Sequence, residues 1–184
     1  MATTRSSTTP PPRVRDDRNV ESVPWVAEGV AAGALGAAVV ALFFFVVDLA
    51  AGHALWTPYV LGTALVLGRV PSPDASIDAV LVLGYTALHG AVFLAIGLIA
   101  AFELMTGGRL PGATPLRRAI VLAVLLFAAF EVVFVAYGTL MEPALVGMLG
   151  FGRVTIANAL AAAAMAGLLQ IRLLRRGRDL PEAG

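Results

Sequence analysis

Apolar residues are concentrated in four long runs along the chain, and polar residues are concentrated between them. The runs cover residues 26–51, 79–105, 117–141 and 154–173. A transmembrane helix needs about 20 consecutive, mostly apolar residues, and each run meets that requirement. The pattern therefore predicts an all-α integral membrane protein with four transmembrane helices.

The segments outside these runs have a different composition. Residues 1–22 are rich in Ser, Thr, Pro and charge, which predicts a disordered cytoplasmic tail. The first apolar run begins too late and is too long for a cleaved signal peptide, so we expect an uncleaved anchor. Residues 23–176 form the predicted four-span membrane domain, and residues 177–184 form a second cytoplasmic tail.

Arginine placement predicts the orientation of the spans, because cytoplasmic loops carry an excess of basic residues. Eleven arginines lie in the two tails and in the loop between the second and third runs, whereas only Arg69 and Arg153 lie on the other side. Both termini are therefore predicted to be cytoplasmic. The second and third loops are short, which favours an antiparallel bundle.

The first outer loop contains an apolar segment, YVLGTALVLG, that is too short to cross a bilayer. It either lies in the membrane interface or dips back as a re-entrant segment. Three residues in this loop match the third loop, which is the second outer one, at a constant offset of 85; this suggests two repeated helical hairpins, and chance similarity is the alternative. The matched residues are Leu55, Pro58 and Gly62 in the first loop and Leu140, Pro143 and Gly147 in the third.

Small residues predict where helices pack closely. Gly29 and Gly33 form a GxxxG pair in the first run, and such pairs let helix backbones approach each other in lipid. Packing within the chain is the favoured interpretation, and a dimerisation face is the alternative.

Composition supports the membrane class and removes several kinds of chemistry. Hydrophobic residues make up 59% of the 184 residues and charged residues 14%, compared with roughly half and a quarter in globular domains. The absence of cysteine excludes disulfides and thiolate sites. The formal net charge of +1 implies no nucleic-acid partner. We expect a multi-pass protein of the cell membrane, namely a bacterial inner membrane, with the lipid bilayer as partner and a homo-oligomer or larger membrane complex as further options.

Five polar residues inside the spans are candidates for a ligand, metal or proton site, because an ionisable residue within a span is costly and is a functional hypothesis by default. They are Asp48, Tyr85, His89, Glu131 and Asn158. At the helical rise per residue, His89 and Glu131 both lie about 16 Å below the outer edge, near the midplane. The sequence therefore predicts that His89 pairs with Glu131.

Asp48 and Asn158 lie closer to the outer edge, at depths of about 10 Å and 8 Å. Each candidate also has a structural interpretation, in which Asp48 pairs with Asn158 or Tyr137 and His89 pairs with Glu131 only to fix the packing. His53 is predicted to be a loop residue, because Gly52 before it favours the end of the helix.

Polar residues are abundant in the predicted outer halves of the spans and scarce in the inner halves. The inner halves carry Glu28, Glu103 and Gln170, all near the inner edge, where the two acids are expected to reach water or the loop arginines. We therefore predict a small polytopic membrane protein with an outward-facing buried polar site that binds a small ligand, metal ion or proton. The alternative is a non-catalytic accessory or scaffold subunit of a larger membrane complex.

No motif identifies a cofactor or a reaction. Imidazole and carboxylate suit a transition metal, but the ExxH and HExxH spacings are absent. Haem is disfavoured because the second histidine, His53, lies roughly 15 Å away in depth from His89. A quinone or lipid pocket lined by phenylalanines stays open. There is no GxSxG or P-loop, so enzymatic activity is not indicated.

Overall fold

The computed structural model describes residues 24–106, 113–140 and 147–179, and those residues contain helices and no strand. The four predicted spans each coincide with one long helix, and all four helices are long and apolar enough to cross a membrane. The helices are α1 (Pro24–Ala50), α2 (Trp56–Leu67), α3 (Ala79–Thr106), α4 (Pro115–Leu140) and α5 (Phe151–Asp179).

The predicted boundaries of the first three spans lie within a few residues of α1, α3 and α4. The end of α5 differs most, because this helix continues through Asp179 into the segment predicted to be a tail. Arginine has a high helix propensity, so the basic sequence after residue 171 extends the helix instead of ending it. The predicted tail 1–22 lies outside the described residues, as does Pro143 of the proposed repeat.

α1 and α3 pack closely through glycines. A Cβ atom on Gly33 would lie 2.5 Å from the carbonyl oxygen of Phe93, and one on Gly29 would lie 2.6 Å from the Cα atom of Leu98. Gly97 on α3 faces both of these glycines. The GxxxG pair is thus used within the chain, as the favoured interpretation predicted, and α3 covers this face.

α5 is the most buried of the long helices. It packs against both α1 and α4, whereas the backbones of α3 and α4 do not pack closely against each other in the described ranges. Half of the most apolar window of α5 (50%) is buried, compared with 11% in α3 and in α4. Small side chains allow this burial, since Ala157, Ala161 and Ala162 are almost completely buried.

The short helix α2 connects α1 to α3 and marks one end of the molecule, called here the α2 end. The turn before it uses Gly52 and Leu55 at positive φ, 82° and 66°. α2 packs on α3 where a Cβ on Gly62 would lie 2.5 Å from the carbonyl oxygen of Leu81. The predicted non-spanning apolar segment is therefore helical and rests on the first turn of α3.

Candidate functional site

Asp48 lies at the end of α1 and is 5% exposed. Its carboxylate accepts two hydrogen bonds from Thr57, one from the backbone N–H at 2.7 Å and one from the hydroxyl at 2.7 Å. The first N–H groups of a helix have no partner within the helix, so Asp48 satisfies one of them at the start of α2. Asp48 is therefore paired with neither Asn158 nor Tyr137, the two partners that the sequence suggested.

His53 lies in the exposed turn between α1 and α2, which confirms that α1 ends before it. Its backbone N–H donates to the carbonyl oxygen of Asp48 at 2.9 Å. Its ring centroid is 6.3 Å from that of Trp56. His53 therefore belongs to the turn, and its side chain does not join the Asp48 carboxylate.

Glu131 connects α4 to α5. Its carboxylate accepts a hydrogen bond from the side-chain amide of Asn158 at 2.9 Å and a longer one from the hydroxyl of Thr155 at 3.3 Å. Asn158 is 7% exposed. A carboxylate acceptor makes the stronger kind of hydrogen bond, so this contact fixes the register of α4 on α5.

The polar contact of His89 on α3 is with α1 and not with Glu131 of α4. Its Nε2 atom lies 3.4 Å from the carbonyl oxygen of Ala37. Its ring stacks on Tyr85 at 5.9 Å between centroids and contacts Phe93 at 4.7 Å. The predicted pair between His89 and Glu131 is not formed, because each residue is directed to the helix that packs beside its own.

A cavity of about 210 Å³ lies between α3 and α4 in the half of the molecule nearest the α2 end. Its walls come from positions three or four residues apart, which share one face of a helix. α3 contributes Tyr85, His89, Val92, Phe93 and Ile96. α4 contributes Phe130, Val133, Phe134 and Tyr137. α1, α2, α5 and the residue Leu149 complete the lining.

Four polar side chains line this mostly apolar cavity: Tyr85, His89, Tyr137 and Asn158. The Tyr137 hydroxyl is buried and has no hydrogen-bond partner among the described residues. Three of the five predicted candidates thus line one cavity, Glu131 binds Asn158 behind it, and Asp48 lies elsewhere.

Tyr137 was not among the predicted candidates. The signal for it was its spacing from Phe130 and Phe134, which form one face of α4 with it. The sequence favoured a core role for that face, because aromatic residues at helical spacing usually pack in a core. Phe127, one turn earlier, does pack against the core cluster.

A second polar cluster lies at the end of the molecule opposite α2. Glu28 is 7% exposed and accepts a hydrogen bond from Arg176 at 3.0 Å, and its other oxygen is 3.6 Å from Arg172. The sequence predicted water or the loop arginines as the partners of Glu28, whereas its partners are two arginines of α5. This ion pair joins the first long helix to the last.

Metal-ligating side chains do not converge in the part of the chain that the structure describes: no three His, Cys, Asp or Glu residues there could hold one ion. The described residues give the cavity one imidazole, two phenols and an amide. This set is suited to hydrogen bonding with an organic group more than to coordinating a cation.

Comparison with protein-family models, with curated proteins and with solved structures finds no match to this chain. No residue role can therefore be transferred from a relative, and the chemistry of the cavity has to be deduced from its lining.

Proposed function

We propose that this chain is a multi-pass membrane protein that binds a small organic ligand in the cavity between α3 and α4. The four long helices form an antiparallel transmembrane bundle with both termini in the cytoplasm, so the α2 end is the outer end. The observations that carry the proposal are the aromatic cavity that Tyr137 helps to line and the buried hydroxyl of that residue, which has no hydrogen-bond partner in the described ranges. An unsatisfied buried polar group costs about 1–3 kcal/mol, and a ligand that hydrogen-bonds to it removes that cost.

The cavity volume limits the size of the bound group. An apolar cavity of about 150 Å³ accommodates benzene, so 210 Å³ accommodates one six-membered ring with a few small substituents. Pockets for drug-sized molecules are larger, about 300–1,000 Å³. The ligand, or the part of it inside the protein, is therefore a single substituted ring.

The lining determines the chemistry of that ring. Phe93, Phe130 and Phe134 present aromatic surfaces that favour a planar group by stacked or edge contacts. A tyrosine hydroxyl both donates and accepts a hydrogen bond, so Tyr137 is suited to a carbonyl or a hydroxyl on the ring. A quinone or phenol ring has both properties. We prefer it to a metal ion because the donor set is poor in metal ligands.

Binding of a simple quinone tests the proposal. The protein in lipid nanodiscs is equilibrated with 2,3-dimethoxy-5-methyl-1,4-benzoquinone, and bound quinone is measured by dialysis. Tyr137→Phe should weaken binding about fivefold, since one neutral hydrogen bond contributes about 1 kcal/mol. Tyr59→Phe is the matched control, because Tyr59 is a buried tyrosine of α2 that does not line the cavity.

Two results would contradict the proposal. One is the absence of measurable binding to the unmodified protein at quinone concentrations that saturate simple ring sites. The other is an equal effect of Tyr137→Phe and Tyr59→Phe, which would show that the cavity hydroxyl does not contact the ring.

A second candidate function is supported by a different observation. Asp48 and Glu131 are satisfied by Thr57 and Asn158 within the chain, as expected of polar groups that only fix the packing of an accessory subunit. If the chain is an accessory subunit, the protein does not bind the quinone ring. Complexes purified from native membranes then contain a stoichiometric second subunit. The quinone-binding assay, together with the subunit composition of the purified complexes, therefore distinguishes the two functions.

A further inference from the structure

The cavity extends sideways, between α3 and α4, to the lateral surface of the molecule. Two of its lining residues are also exposed on that surface, Val92 of α3 at 39% and Val133 of α4 at 54%. The backbones of these two helices do not pack closely where the structure describes them. Val92 and Val133 therefore form the two lips of an apolar opening, called here the lateral mouth, on a surface that faces lipid in a membrane.

Apolar side chains line the cavity toward both ends of the molecule. Leu61 of α2 and Leu149 line it toward the α2 end. Toward the opposite end, the rings of Phe93 and Phe130 are in contact at 4.9 Å between centroids. A ligand that left part of itself outside the cavity would find an apolar environment at the lateral mouth, and no Asp, Glu or Arg lines the cavity among the described residues.

We propose that the ligand is a membrane-dissolved amphiphile, composed of one ring with a carbonyl or hydroxyl group and an apolar chain, and that it enters through the lateral mouth. This inference rests on the proposed function. The ring occupies the cavity, where it hydrogen-bonds to Tyr137. The chain does not fit beside a ring in 210 Å³, so it stays between Val92 and Val133 and continues into the lipid.

Two probes separate the ring from the chain. One is 2,3-dimethoxy-5-methyl-6-decyl-1,4-benzoquinone, and the other is the same ring without the decyl chain. Both are equilibrated with the protein in nanodiscs of one lipid composition, and bound quinone is quantified after separation. Because the lipid is the same for every variant, differences between variants report the protein site.

Phenylalanine on either lip should obstruct the chain and not the ring. Val133→Phe and Val92→Phe are expected to weaken binding of the decyl probe by about tenfold or more and to change binding of the tail-less ring by less than about threefold. The matched controls are Val132→Phe and Val80→Phe. These valines are 67% and 76% exposed on the same two helices and do not line the cavity, so both controls should bind both probes normally.

Each other outcome overturns a specific claim. If the lip variants bind the decyl probe as tightly as the unmodified protein does, the chain does not pass through the lateral mouth. If the lip variants lose both probes equally while the control variants still bind them, the two valines contact the ring, and the proposed route of the ligand's apolar chain is wrong. In both cases the proposed function survives. If the unmodified protein binds neither probe, the proposed function fails and this inference fails with it.

Discussion

Asp48 determines the course of the chain at the α2 end. Its two hydrogen bonds to Thr57, both at 2.7 Å, join the last turn of α1 to the first turn of α2 across a tight turn. Hydrogen bonds to an ionised acceptor are roughly twice as strong as neutral ones. A charged residue in an apolar run is thus explained here by the backbone and hydroxyl groups that it satisfies.

Removing this carboxylate should destabilise the protein. We expect Asp48→Ala to lower the free energy of unfolding by about 2–3 kcal/mol, because it removes a charged acceptor and leaves buried Thr57 donors unpaired. Asp78 is the control, since it accepts one hydrogen bond at an exposed helix start, from the N–H of Val80 at 2.8 Å. Asp78→Ala should cost about 1 kcal/mol or less.

Thermal or SDS denaturation in mild detergent, followed by circular dichroism, measures both variants. Thr57→Val provides a further comparison, because it removes the hydroxyl donor and keeps the backbone N–H bond. Equal losses for Asp48→Ala and Asp78→Ala would refute the special role of Asp48.

At this scale the sequence predicted the position of a residue along its helix better than the direction of its side chain. His89 and Glu131 could be assigned to the middle of their helices from residue number alone. The direction in which each side chain points depends on which helix lies beside it, α1 for His89 and α5 for Glu131. The sequence did not predict the partner of Asp48 either, because the pairing with Thr57 depends on the turn at Leu55, whose φ is 66°. Non-glycine residues adopt this conformation only rarely.

At the scale of whole helices, α1 and α3 depend on glycine for their close approach. Gly97 faces the backbone of Gly29 and Gly33, whereas Gly90 on the same helix has open space where a Cβ would be. The two positions on α3 therefore provide one test and its control.

Gly97→Ala should destabilise the α1–α3 contact by about 1–3 kcal/mol, the usual cost of adding atoms to a well-packed interior. Gly90→Ala should leave stability unchanged within about 0.5 kcal/mol. The midpoint of thermal denaturation in one detergent compares them directly. A loss of similar size at both positions would mean that the contact of Gly97 with α1 does not account for the response.

The long helices were predictable because the length and apolarity of a run are sufficient to define a span. The helix α2 was less predictable. Its apolar run could be identified as too short to span a membrane, but its packing on α3 depends on the contact between Gly62 and Leu81. The order in which helices neighbour one another is not encoded in hydropathy at all. The gap between α3 and α4, and therefore the cavity, could not be derived from the sequence pattern.

Across the whole molecule, the predicted orientation can be tested without background labelling, since the chain contains no cysteine. Ser76→Cys, in the exposed segment between α2 and α3, should react with a membrane-impermeant maleimide in intact cells. Ser6→Cys, in the N-terminal tail, should react only after permeabilisation, because the arginine distribution predicts a cytoplasmic terminus.

The unmodified protein is the control for non-specific labelling. Labelling of Ser6→Cys in intact cells would reverse the orientation and would put the α2 end, with the cavity near it, on the cytoplasmic side.

The ion pair between Glu28 and the arginines of α5 has a consequence for the synthesis of the chain. Glu28 and Arg176 are separated by 148 residues, so at about 5–20 residues per second the ribosome adds the arginine about 7–30 s after the glutamate. In the proposed membrane bundle, α1 has to stay inserted during that interval without its ionic partner, and its length and apolar composition suit it to that. The contact between Glu28 and α5 therefore forms only after α5 has been synthesised, and a chain that stops before α5 keeps the α1–α3 contact but lacks the arginine partners of Glu28.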